Sequence, residues 1–194
     1  MDIIIPDVQC SILHLEIHGI SPLITHAWSQ KTIDEMISEQ TGGAKKPKKP
    51  PRDPEAEYEA TKYLLSDGRL GIPARAFKKA MVRAAKGSGT HMTDARQVFF
   101  VQGIGPYQLV PINGKPEPRT DIVRLSKGKV QPRFRCCFPE WSAELVIEYD
   151  AEAIAPAQIA NLLNRAGFGV GVGDWRPEKD GDFGRFEVAK TKTE

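Results

Sequence analysis

Cysteine is scarce: the 194-residue chain has three, Cys10, Cys136 and Cys137. Two are adjacent and one is remote, and no Cys-x-x-Cys finds a second ligand pair, so no metal site is expected. On alternating strands such residues act as small apolar side chains, and the sparse usage fits a reducing cytoplasm. Long hydrophobic runs are missing too. No stretch reaches the roughly 18 apolar residues of a membrane span, so no membrane partner is expected. The start, Met1-Asp-Ile-Ile-Ile-Pro6, lacks the basic flank and long apolar core of a signal peptide. Excess charge is lacking: the formal net charge is +2, so any affinity for a polyanion must come from where the charges sit.

Catalytic constellations are also wanting. His14, His18, His26 and His91 fall in no nucleophile motif. His91 and Asp94 read as a polar loop, and the carboxylates of Asp180-Gly-Asp182 read as a turn. His14 and His18 would stand about 13 Å apart along a strand, too far to share a metal unaided. Neither an enzyme activity nor a cofactor is expected.

Glycine, in contrast, is dense near the C-terminus. Gly167, Gly169, Gly171, Gly173, Gly181 and Gly184 fall within 18 residues, interleaved with Trp175, Arg176, Lys179, Phe183, Arg185 and Phe186. Such clustering costs backbone entropy and needs a reason: positive φ, or close approach of another molecule. A dinucleotide fingerprint is excluded by order. That motif needs a strand before and a helix after, and here a helical pattern (156–165) precedes and a strand pattern (183–188) follows. No Gly-Lys-Ser/Thr phosphate loop is present. The plain structural reading is that Gly167 closes a helix and the rest is a flexible surface loop. The functional one is that cations, π-faces and amides serve a sugar–phosphate strand and its bases.

The second informative element is the segment 74–86. Phe77, Ala80, Met81 and Ala84 share one helical face, while Arg75, Lys79 and Arg83 repeat every four residues on another, with Lys78 and Lys86 nearby. No acid is interspersed, unlike most solvated faces. Residues 41–53 hold Lys45, Lys46, Lys48 and Lys49 among prolines and read as a flexible basic insertion. Asp53 caps a following helix with Pro54 at its first position.

Elsewhere the periodicities are plain. Residues 11–20 alternate, with Leu13, Leu15 and Ile17 on one face and Ile12, His14, Glu16 and His18 on the other. Thr32 and Glu35 form a capping box for a short helix with Ile33, Met36 and Ile37 inward. Residues 97–138 read as a β-rich insertion in which Arg133 and Arg135 share a strand face. Residues 141–149 alternate, and Pro156 opens a helix with Ile159, Leu162 and Leu163 inward. Residues 189–194 form a polar tail. The expectation is one domain, 1–194, of α+β class: a ferredoxin-like (RRM-like) antiparallel sheet with helices on one face, plus the two insertions.

Two segments resemble the RAMP superfamily, RNA-recognition-fold proteins that form the backbone of CRISPR effector complexes. Leu70-Gly-Ile-Pro-Ala-Arg-Ala-Phe-Lys-Lys-Ala-Met-Val-Arg83 is similar to the family's helix-opening motif, with Ala80 where the motif has glycine. Gly181-Asp-Phe-Gly-Arg-Phe186 is similar to its C-terminal glycine-rich loop. The resemblance is as consistent with a stand-alone phage or prophage-encoded relative as with a member of such a complex, in a bacterial or phage-infected cell. It implies that the basic helix and the glycine loop flank one groove for single-stranded RNA or DNA, and that copies form a homo-oligomer or filament. The residues expected to contact the strand are Arg75, Lys78, Lys79, Arg83, Lys86, Arg133, Arg135, Gly171, Gly173, Trp175, Arg176, Lys179, Phe183 and Arg185, with the four lysines of the insertion as a clamp. The rival reading is a self-assembling structural protein, such as a phage particle component, in which the same aromatic and arginine residues serve subunit docking.

Overall fold

The structure is a computed structural model that describes residues 7–28, 30–41, 52–124 and 130–189. Lys45, Lys46, Lys48 and Lys49, most of the basic insertion and residues 190–194 of the tail lie outside the described residues. In chain order the elements are β1 (Cys10–Gly19), β2 (Leu23–Thr25), α1 (Gln30–Gln40), α2 (Pro54–Ala60), β3 (Tyr63–Leu64), β4 (Leu70–Pro73) and α3 (Ala74–Ala84). There follow α4 (Met92–Gln97), β5 (Phe99–Gln102), β6 (Leu109–Pro111), β7 (Glu117–Arg124), β8 (Val130–Phe138), β9 (Ser142–Asp150), α5 (Pro156–Gly169) and β10 (Phe186–Val188). A short 3₁₀ turn, Pro177–Lys179, lies in the last loop.

The central sheet runs β10-β1-β9-β5, and every neighbouring pair is antiparallel. Helix α3 lies between β1 and β5 in the chain, and α5 between β9 and β10. Removing the insertions leaves β1-α3-β5-β9-α5-β10, two interleaved split β-α-β units, which is the ferredoxin-like arrangement. The alternation read from sequence explains the layering. Ile17 of β1, Phe99 of β5, Leu145 and Ile147 of β9 and Phe186 of β10 point inward and are fully buried. Phe77 and Met81 of α3 and Ile159 and Leu163 of α5 cover them. Phe186 sits at the centre, edge-to-face with Phe77 at 5.9 Å and with Trp141 at 6.1 Å. Burying one such ring contributes about 1.5–3 kcal/mol, and each edge-to-face pair adds about 0.5–1.5 kcal/mol.

Two smaller antiparallel sheets, β2-β8-β7 and β3-β4-β6, are built from the stretches before α3 and between β5 and β9. Phe99–Gln102, expected within the β-rich insertion, is instead the edge strand of the central sheet. Three further expectations are corrected. Helix α1 begins at Gln30, so Thr32 lies inside it, and Met36 and Ile37 are exposed rather than inward. Gly167 lies within α5 rather than at its end. It is buried against β10, where a Cβ would come within 1.9 Å of the Phe186 carbonyl oxygen. Asp53 does cap α2, accepting the amides of Glu55 and Ala56, with Pro54 at the first position. Cys136 and Cys137 are buried and burial pushes both thiols up, whereas Cys10 is exposed rather than packed. Among the described residues no helix is long and apolar enough to cross a membrane.

Candidate nucleic-acid interface

Helix α3 and the glycine loop (170–185) line the two sides of one cleft of about 270 Å³. One side is α3, held by Phe77, Ala80 and Met81 in the core, which leaves Arg75, Lys79 and Arg83 in a row along the opening. The other is the backbone from Val170 to Asp174, with Arg176 and Glu178 beyond it. Thr25, His26 and Tyr63 complete the lining at one end. Burial pushes the Tyr63 phenol up, against the pull of Arg75.

The loop takes its shape from the C-terminus of α5. Val170 and Gly171 both donate to the Ala166 carbonyl oxygen, and Gly171 takes positive φ to turn the chain out of the helix. Gly173 and Gly184 also have positive φ, and each has a carbonyl oxygen where a Cβ would go. That oxygen is Ile24's at 2.4 Å for Gly173 and Val172's at 1.8 Å for Gly184. The loop is therefore laced to the strand that follows β1. Asp174 donates to Ile24 O at 2.9 Å, Gly184 to Pro22 O at 2.8 Å and Arg185 to Ser21 Oγ at 3.0 Å. The glycines serve close approach of the protein's own backbone. Of the two glycines expected to contact the strand, Gly171 donates its amide to Ala166 O; the amides of Val172, Asp174 and Gly184 are likewise engaged within the fold.

The charges of the cleft are paired unevenly. Glu178 is bound by Arg83 and, at 2.8 and 3.0 Å, by both Nη2 and Nε of Arg176, whose Nη1 donates to Gly173 O. Burial, and then the charge of Arg83, push the Arg176 guanidinium below its ordinary value. Asp174 accepts from Arg135 at 3.2 Å and lies 3.4 Å from His26. Burial alone would push its carboxyl up. The His26 hydrogen bond and the charges of His26, Arg135 and Arg176 outweigh it and hold Asp174 below the usual carboxylate value. Among the described residues Arg75 and Lys79, which face the opening, have no carboxylate partner.

Arg135 is a correction. It is 3% exposed, between Asp174 and Asp121, with its guanidinium 4.4 Å from the Trp175 ring centre. Such a cation is committed to the interior and is not presented to a ligand. Trp175, at positive φ, is packed between Arg135 and Phe183, and Phe183 in turn meets Arg119 at 4.7 Å. These two aromatics brace the loop. Lys78 sits on the far side of α3, 3.5 Å above the Phe100 ring, and burial pushes its amine down. Arg133 and Lys179 lie away from the cleft lining, and Lys179 is exposed in the 3₁₀ turn. Lys86 and Arg185 border a neighbouring groove, described below. The structure thus gathers Arg75, Lys79, Arg83, Gly171, Gly173 and Arg176 into one cleft.

The sequence does not point to Asp174, which pairs the buried Arg135, or to Glu178, which holds the cleft's Arg83 and Arg176. Glu178 has a local signal, standing two residues after Arg176. The distant partners His26 and Tyr63 have none.

The opposite side of the molecule carries the reverse sign. On the outer face of the central sheet Glu16 pairs across from Glu144, and Glu187 across from His18, with Glu148 further along β9. His14 bonds Glu144 at 2.9 Å there. Among the described residues this sheet face presents carboxylates and no lysine or arginine, and stacked carboxylates repel phosphate.

No protein-family model matches the chain, and no curated protein matches it. The chain is similar in structure to the crystal structure of Cmr6 from Pyrococcus furiosus, with a TM-score of 0.48 and 10% sequence identity over 94% of this chain and 100% of that one.

Proposed function

We propose that the chain is a non-catalytic single-stranded nucleic-acid-binding protein that cradles an RNA or DNA strand between α3 and the glycine loop. The observation that carries the reading is the α3 row. Arg75, Lys79 and Arg83 are presented side by side along a cleft whose far wall adds Arg176. Phosphates of an unpaired strand repeat at a spacing that such a row can follow, and lysine and arginine contacts of this kind position a strand without reading its sequence. The loop contributes shape and Arg176. Its amides support the wall.

The test is binding of labelled single-stranded RNA and DNA at two salt concentrations, with wild type and the Arg75→Glu, Lys79→Glu double variant. Both residues are exposed, so the variant keeps its thermal stability. Salt-sensitive binding by wild type that the variant loses supports the reading. Absence of binding at low salt, or binding that survives charge reversal, overturns it.

A second reading, self-assembly, is favoured by the opposed signs of the two faces. The acidic sheet face of one copy complements the basic helix face of the next. Under that reading the double variant changes the sedimentation of the protein alone.

A further inference from the structure

Next to the cleft, between α3 and the C-terminal turns of α5, lies a second groove of about 490 Å³. It shares Arg83 and Val170 with the cleft, so the two form one path over the surface. Its other polar lining is Lys86, Asn164 and Arg165, with no carboxylate among the described residues that line it. Asn164 is held in place by the Val188 amide, which donates to its side-chain oxygen at 2.8 Å.

Phe168 is the aromatic member of this lining, beside the smaller Ala84 and Val170. It is 71% exposed, on the side of α5 opposite Ile159, Leu163 and Ala166, so the core gives no reason for a phenyl ring there. The Arg185 guanidinium lies 5.3 Å from its ring centre. A lone exposed phenylalanine is ordinary. One beside a stacked arginine, in a groove lined by three further cations and continuous with a basic cleft, is a platform for a planar, electron-rich group attached to anions.

Resting on the strand-binding reading above, we propose that this groove is a second subsite in which one unpaired base stacks on Phe168 while its flanking phosphates meet Lys86, Arg165 and Arg185. The volume lies in the range that encloses a small organic ligand, enough for a single nucleotide. Because stacking uses the π-face common to all bases, the subsite adds affinity without sequence preference.

The experiment is a thermodynamic cycle. Wild type, Phe168→Ala and Phe168→Trp are titrated with a fluorescent single-stranded oligonucleotide and with a set of copies, each carrying one abasic position. Phe168→Ala is expected to weaken binding of the intact strand roughly five- to hundredfold with no change in salt slope, and Phe168→Trp to retain it. One abasic position should cost wild type a similar factor and cost Phe168→Ala little. Equal affinities of wild type and Phe168→Ala, or abasic costs that are the same in both proteins, overturn the subsite while leaving the cleft intact. No binding by wild type overturns the cleft and the subsite together. The exposure of Phe168 keeps all three proteins folded, which matching thermal unfolding curves verify.

Discussion

Glu178 acts as a latch on the cleft, and its removal has a computable effect. Its carboxylate is held by Arg83 and Arg176, two cations that a strand would also use. With Glu178 bound, the cleft offers Arg75 and Lys79 freely. Glu178→Gln keeps the shape, removes the charge and offers all four. For a single strand each neutralised phosphate adds about 0.7 to the slope of log affinity against log salt, so the cleft's contribution steepens from about −1.4 to about −2.8. Raising salt from about 50 to about 200 mM then weakens wild type about sevenfold and the variant about fiftyfold. At the lower salt the variant binds more tightly. Fluorescence anisotropy across a salt series reads both quantities. Arg83 is 49% exposed, so losing its ion pair costs about 1 kcal/mol or less, a fall in Tm of about 2–4 °C. An unchanged slope, or weaker binding at every salt concentration, would refute the reasoning and make Glu178 a structural brace.

Other substitutions separate scaffold from surface. Arg135→Ala leaves Asp121 and Asp174 without their buried cation and is expected to cost about 3–5 kcal/mol, a fall in Tm of roughly 6–20 °C by calorimetry. Gly184→Ala places a Cβ 1.8 Å from Val172 O at positive φ, and is expected to destabilise by about 3 kcal/mol or more in urea titration. Asp174 has a folded-state pKa below its unfolded one. The stability this supplies is present above the unfolded value near 3.8 and is lost as pH falls through the folded value. Wild type should therefore lose Tm below about pH 4 more steeply than Asp174→Asn, and parallel profiles would remove Asp174 from the account.

The periodic elements were legible because each carries its own burial pattern. The alternation of β1 and β9 and the apolar faces of α3 and α5 state which side meets the core without knowledge of the partner. The basic row on α3 was legible for the same reason, since i, i+4 spacing places it on one side whatever the rest does. The sequence alone does not separate Phe99–Gln102 from the β-rich insertion, because a short apolar strand does not announce which sheet it joins. Arg135 looked available because strand alternation fixes a face but not what covers it. Its partner Asp174 lies 39 residues away in sequence and is brought over it by the loop. The glycine cluster points to positive φ or to the approach of another molecule; Gly173 and Gly184 have the positive φ, and the approaching groups are Ile24 and Val172 of the same chain. Composition cannot distinguish that from a ligand.

The lacing of the glycine loop to residues 21–24 also sets the order in which the molecule comes into being. α3, made early, can form its basic row as soon as it packs. The facing wall depends on hydrogen bonds that join residues about 150 apart in the chain, among the longest sequence separations in the fold. Contacts of such separation form late, because the intervening chain must be closed before they stabilise anything. The cleft is thus assembled from its two ends in time, and becomes a cleft only when β10 docks beside β1. Until residues 171–185 are laced to residues 21–24, the cations of α3 stand on an open surface with no facing wall.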